Sequence, residues 1–240
     1  MLQTLKGGKN MANPQFKIIW KPSPNYTKGR RGKKIVGIVN HITAGLMPGT
    51  LSWLQNPKAQ ASAHYLVTKL GDIYQLVKDE DIAWHAGIVN KPSWPLYDGT
   101  NPNHITIGIE HECISGGRLT ELQYQATLWL HKQLIAKHGI PVDENHIIGH
   151  YRTDGKNRPN DPGPDFPWNR LLDDLKGSEN IKTQIDLPEV PVRVNGSIIG
   201  RGVIIEDVTY MPVRAIAEAL GAKVDWDANT RTVLISKGGK

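Results

Sequence analysis

Residues 35–42 read IVGIVNHI, apolar at odd and even positions alike until Asn40 and His41. Successive side chains of a strand point to opposite faces, so this run reads as a central strand covered on both sides. It constrains the chain more than any other segment, because the rest of the fold must supply both covers. The run ends on polar groups, which places His41 where a side chain can project into a cleft.

The neighbouring segments suit such a strand. TAGLMPGTLSWLQNP (43–57) reads as a loop and a short helix. AHYLVTKLGDIYQLV (63–77) reads as two strands around Leu70-Gly71-Asp72. Residues 85–104 hold Pro92, Pro95 and Pro102 and read as irregular. ITIGIEHE (105–112) alternates cleanly: Ile105, Ile107 and Ile109 share one face, and Thr106, Gly108 and Glu110 share the other. Thr120 to His138 is a helix, with Thr120 as N-cap, Gln123 as a capping-box partner and Gly139-Ile140-Pro141 as its stop. FPWNRLLDDLK (166–176) is a second helix, with Pro167 in its first turn.

Residues 177–190 have weak periodicity and read as a linker. Residues 191–240 form a separate β-β-α-β-β pattern. VRVNGSIIG and VIIEDVTY are its first strands, and a helix opens at Pro212 with Val213, Ile216, Ala217 and Leu220 on one apolar face. KVDWDANTRTVLIS closes it as a hairpin.

The 240 residues, 39% hydrophobic and 22% charged, suffice for one or two soluble globular domains with a real core. No apolar run approaches the roughly 18 residues of a membrane span. The first residues, MLQTLKGGKNMANPQFK, lack the apolar core of a signal peptide. A single cysteine, Cys113, excludes an internal disulfide framework and suits synthesis in a reducing cytoplasm. Residues 1–34 carry nine Lys or Arg and no Asp or Glu, so the net +6 of the chain is +9 here and −3 elsewhere. A basic N-terminal arm over 1–16 suits an anionic partner such as nucleic acid, membrane or a polyanionic wall, and equally a solubilising tail.

The chemistry concentrates in HIIGHYRTDGKNRPNDPGPDFPW (146–168). His150 ends a strand-like run, and Asp161 follows eleven residues later in a stiff Asp-Pro-Gly-Pro loop. With His41 they supply three ligands of the type a catalytic zinc takes. Each alone has a plainer reading, a core histidine or a turn aspartate. His146 reads as structural, since its HxxxH spacing to His150 lies on a strand. Glu110 ends the alternating strand beside Gly108, whose small size leaves room for a ligand on that face. His111 lies on the isoleucine face. Trp84-His85-Ala86-Gly87 suits the wall of a sugar or peptide groove, and also a packed turn.

Taken together, IVNHITAG, ASAHYLVTKLGDIYQLV, AWHAG, NHITIGIE, GHYRT and NDPGPDFPW resemble the zinc-dependent N-acetylmuramoyl-L-alanine amidases, relatives of the peptidoglycan recognition proteins. The resemblance spans residues 35–176 almost continuously and implies an α/β fold, a mixed central sheet flanked by helices, with zinc at one end of the strands. It implies a catalytic domain over 17–176. It assigns His41, His150 and Asp161 to Zn2+ and Glu110 to the general base, while His64, Trp84 and His85 are expected to contact substrate. Ala63 stands where one branch of the family has tyrosine, so the likeness is to the glutamate branch. That branch uses a basic residue just before the aspartate. Here the segment reads Lys156-Asn157-Arg158-Pro159-Asn160, one residue longer than usual, and Arg158 is favoured over Lys156.

The tail from 191 resembles the small domain named after the N-terminal part of copper amine oxidases. It contains no His and no Cys, hence no copper site. The resemblance implies attachment to the cell wall, with a stabilising or dimerising appendage as the alternative. The combined expectation is a peptidoglycan hydrolase of endolysin type, with bacterial peptidoglycan and an anionic wall polymer as partners and no nucleic acid. It accumulates in the cytoplasm and acts on the wall after release. The alternatives are a host autolysin and a non-catalytic peptidoglycan receptor of the same fold.

Overall fold

The computed structural model describes residues 16–177, 189–205, 208–227, 230 and 232–237. The expected basic arm, apart from Phe16, and residues 178–188 of the expected linker lie outside them. The chain divides into two compact units, Met1–Thr183 and Gln184–Lys240.

In the first unit β1 (Ile18–Trp20), β2 (Tyr26–Thr27) and β3 (Gly37–Ile42) precede α1 (Gly49–Leu54). The hairpin strands β4 (Tyr65–Val67) and β5 (Ile73–Gln75) follow, then β6 (Ile82–Ala83). α2 (Pro102–Ile105) leads directly into β7 (Thr106–His111), and α3 (Glu121–His138), β8 (Ile147–Gly149) and α4 (Trp168–Leu175) complete the unit. Six strands form one mixed sheet in the order β1-β5-β4-β7-β3-β8. Only the β4–β5 pair is antiparallel. The α/β architecture implied by the sequence is therefore the observed one.

The doubly apolar strand finds both of its covers. Ile38 packs with Tyr65, Val67, Ile107 and Ile109 against Ala126, Leu130 and Leu134 of α3. Val39, one residue on, packs with Ile148, Ala86, Trp94 and Ile105 on the opposite face. Each such buried aliphatic side chain contributes about 1.5–3 kcal/mol. Thr120 caps α3 by accepting from the Gln123 amide at 3.0 Å, and Gly139 ends it at φ +66. The capping box does not form. The Gln123 side chain donates instead to the Val67 and Glu112 carbonyls, and the Val67 carbonyl also accepts from the Glu112 amide.

The basic N-terminal stretch is not all solvated. Arg30 is buried, and its guanidinium donates to the carbonyls of Asp79, Asn103, His104 and Thr106. One of the nine cations thus holds the fold together. Among the described residues, no helix is long and apolar enough to cross a membrane.

The second unit has one strand more than its sequence pattern suggested: β9 (Glu189–Val194), β10 (Ser197–Ile205), β11 (Val208–Tyr210), α5 (Val213–Ala219), β12 (Ala222–Asp227) and β13 (Thr232–Lys237). VRVNGSIIG is itself a hairpin, turned at Asn195-Gly196, both with positive φ (49 and 82) as a tight two-residue loop requires. On α5 only Ala217 is buried, while Val213 and Leu220 are exposed.

Three histidines sit wholly inside the first unit. His64 Nδ1 accepts from the Gly108 amide, while His111 and His131 donate from Nδ1 to the carbonyls of His41 and Thr127. Burial pushes their pKa values down, to about 3, about 3 and about 4. A lowered folded pKa means that the unfolded chain binds more protons below pH 6.5. Stability is then complete above that pH and drains away as pH falls toward 4. Each histidine is expected to remove about 1.4 kcal/mol per pH unit in that window. Urea unfolding at pH 7.5, 6 and 5 measures this, and His131→Asn should flatten the slope.

Candidate metal centre and its cleft

Strand register brings the candidate residues together. β3 and β7 run parallel with His41 paired to Glu110, and alternation turns both side chains to the face opposite α3. β8 lies on the other side of β3, pairing Asn40 with Gly149, so His150 emerges beside His41 in the short turn that follows. The loop then returns Asp161 to the same point. Its Oδ1 accepts from the Ile42 amide at 2.8 Å, at the very end of β3. Its Oδ2 lies 3.2 Å from His41 Nδ1 and 3.0 Å from His150 Nδ1. One ligand atom from each of the three lies within 4.8 Å of the others.

Burial pushes the Asp161 carboxyl up, but His41 and His150 outweigh it and hold it well below the usual carboxylate range. Burial lowers the His41 pKa, so its imidazole is neutral near pH 7. Two imidazoles and a carboxylate are the donor set of a catalytic zinc site that keeps a fourth position open. Glu110 completes the fit. Its Oε2 is buried with no hydrogen-bond partner among the described residues. Burial, then the negative charge of Asp161, raises its pKa to about 8, with Arg158 opposing. A proton held near neutral pH beside these three candidate ligands is what acid–base work needs.

The centre lies in a cleft of about 590 Å³ whose lining includes Glu110, Arg158, Trp84 and His85. Arg158 reaches the cleft, whereas Lys156 is exposed and outside it. Trp84 anchors its indole to Thr27 Oγ1 at 3.0 Å. His64 is not a wall residue. It is fully buried, with Nδ1 on the Gly108 amide and Nε2 2.7 Å from the Arg30 guanidinium. The room beside Gly108 is filled by His85, since a Cβ at residue 108 would lie 2.4 Å from His85 Cγ. His85 Nδ1 sits 3.1 Å from His41 Nε2, and burial with the surrounding imidazoles keeps its pKa well below the usual value.

Sequence reasoning missed the opposite wall. Thr43, Leu46, Thr50 and Trp53 line the cleft from α1 and the loop before it. The available signal was an exposed aromatic in TAGLMPGTLSW, as Trp53 is 55% exposed.

Comparison with known proteins agrees with this geometry. The family model described as N-acetylmuramoyl-L-alanine amidase matches residues 31–164, and the copper amine oxidase N-terminal domain matches 193–240. N-acetylmuramoyl-L-alanine amidase A of Achromobacter lyticus is 30% identical over 178 residues, covering 66% of this chain and 93% of that protein. AmiD of Escherichia coli is 32% identical over 154 residues, and the match spans 58% of this chain but about half (52%) of AmiD. The structure of AmiD with anhydro-N-acetylmuramic acid-L-Ala-D-γ-Glu-L-Lys superposes with a TM-score of 0.50 at 32% identity, covering 60% of this chain and 57% of that one. A crystal structure of AmpD gives 0.50 at 27% identity, covering 67% and 93%. With more than half of its length matched by the family model, and its carboxylate, imidazoles and cleft in place, this chain belongs to the N-acetylmuramoyl-L-alanine amidase family.

Proposed function

We propose that the chain hydrolyses the amide between the lactyl group of N-acetylmuramic acid and the L-alanine of the stem peptide, with Zn2+ held by His41, His150 and Asp161. The observation that carries this reading is the convergence of those three ligands beside Glu110, whose buried carboxyl has a pKa near 8. Zinc bound there supplies Lewis acidity toward water and the scissile carbonyl. Glu110 takes a proton from the attacking water and delivers it to the leaving amine, which an amide requires because its amine is a poor leaving group. Arg158 faces the oxyanion as a fixed positive charge. Asp161, tied to the Ile42 amide, keeps its carboxylate aimed.

The substrate in this reading is wall peptidoglycan, and the enzyme is of endolysin type, stored in the cytoplasm until release. The second unit supports the choice over a soluble recycling substrate, because a separate folded unit suits retention on a polymer. An anionic wall polymer is its proposed ligand.

Purified cell walls treated with the protein should yield new N-terminal L-alanine and no new reducing ends. Chelator and Glu110→Gln should each lower the release at least about 100-fold. Reducing ends would mean a glycosidase, and no release from a zinc-replete sample would favour a receptor. Because Glu110 acts as a base only when ionised, kcat/KM should fall as the pH drops through the Glu110 pKa, approaching about tenfold per pH unit below it. Arg158→Ala should lower kcat on the order of 100-fold and move this acid limb to higher pH, whereas Lys156→Ala should do neither. A chain ending at Thr183 should still cleave soluble muropeptide but no longer sediment with walls.

A further inference from the structure

His85 links the metal centre to a fixed backbone carbonyl, and the direction of every proton along that link can be worked out. Thr106 Oγ1 lies 2.7 Å from the Pro102 carbonyl and 3.3 Å from His85 Nε2. The hydroxyl has one proton, and the carbonyl can only accept, so that proton goes to Pro102. Thr106 therefore presents a lone pair to His85, and His85 Nε2 must be the donor. A neutral imidazole carries a single N–H, so His85 Nδ1 is a bare acceptor. It faces His41 Nε2 at 3.1 Å, which must then hold the His41 proton. The nitrogen left with its lone pair is His41 Nδ1, 3.2 Å from Asp161 Oδ2, so the relay brings two lone pairs together at a point where a cation would satisfy both.

The relay is built rather than incidental. Asn103 Oδ1 accepts from the amides of His85 (3.1 Å) and Ala86 (2.7 Å), fixing the backbone beneath the ring. Gly108 lets the ring lie against the sheet, where any side chain would collide with it. Thr106 is fully buried on the same strand face, two residues before Gly108.

We infer that the Thr106–His85 pair is a positioning device that sets the tautomer of His41 and so aims its Nδ1 lone pair at the metal. The inference rests on the reading that His41, His150 and Asp161 hold zinc. It makes His85 a support for the centre and not a substrate contact. It also explains a histidine in the cleft wall that takes no part in proton transfer to substrate.

Zinc affinity of the full chain, measured by chelator competition, tests it together with the 15N signals of His41 in zinc-free Asp161→Ala protein, which lacks the carboxylate that competes for a proton on Nδ1. His85→Phe should weaken zinc about 10- to 100-fold. His85→Asn should restore most of the loss, because its Oδ1 can accept from His41 Nε2. Thr106→Val, nearly isosteric, should weaken zinc to an intermediate degree by freeing the His85 tautomer. That spectrum should show His41 protonated on Nε2, and adding His85→Phe should give a mixture. Unchanged affinity in a folded His85→Phe protein, or a His41 protonated on Nδ1 in zinc-free Asp161→Ala protein, would overturn the relay. Failure of the wild type to bind zinc would instead overturn the metal reading, and the His41 spectrum would still judge the relay.

Discussion

The parallel pairing of β3 with β7 is the constraint on which the rest depends. It sets His41 beside Glu110, a candidate metal ligand beside the proposed proton carrier, on the same face of the sheet. A shift of one residue would turn either side chain into the core under α3. The register is held because both strands are buried on both faces: Ile38, Ile107 and Ile109 under α3, and Val39 and Gly108 under the segment from Trp84 to Trp94. Hydrophobic packing and site geometry are therefore one arrangement. A slip that spoiled the chemistry would also expose the core.

Asp161 shows how a loop residue acquires strand-like precision. Its carboxylate reaches across to the Ile42 amide, the first backbone donor beyond His41. The loop before it is braced by its own bonds, Asp161 N–H to the Arg158 carbonyl and Tyr151 N–H to the Asp161 carbonyl. The ligand donated by the loop is thus referenced to the strand that donates another. The same bracing carries Arg158 into the cleft and leaves Lys156 in solvent.

Much of this was legible in the residues. The central strand, the hairpin and the capped helix each had a local signature and formed where they were read, but the strand read over 105–112 starts at Thr106, because Ile105 closes α2 and packs with Val39 on the face opposite Ile107 and Ile109. What was misread had no local signature. Gln123 follows a cap residue at box spacing, yet its partners are carbonyls of Val67 and Glu112, brought near only by packing. Gly108 reads as empty space in a strand, but a histidine from another segment occupies it. Arg30 sits in a run of surface-like cations, and four carbonyls from distant segments, Asp79 and the α2–β7 junction, draw it inside.

By itself the sequence determined which residues are capable of the chemistry. Imidazoles, a carboxylate in a stiff loop and a glutamate at a strand end are chemical identities that survive in the unfolded chain. It also determined the strands and helices, because those follow from periodicity and caps within a few residues. Only the tertiary structure decided which nitrogen of His41 is free, why Glu110 holds a proton near neutral pH, and which of His64 and His85 touches the cleft. Tautomer, pKa and access are properties of surroundings, and the surroundings here come from segments up to 120 positions apart, as His41 and Asp161 are.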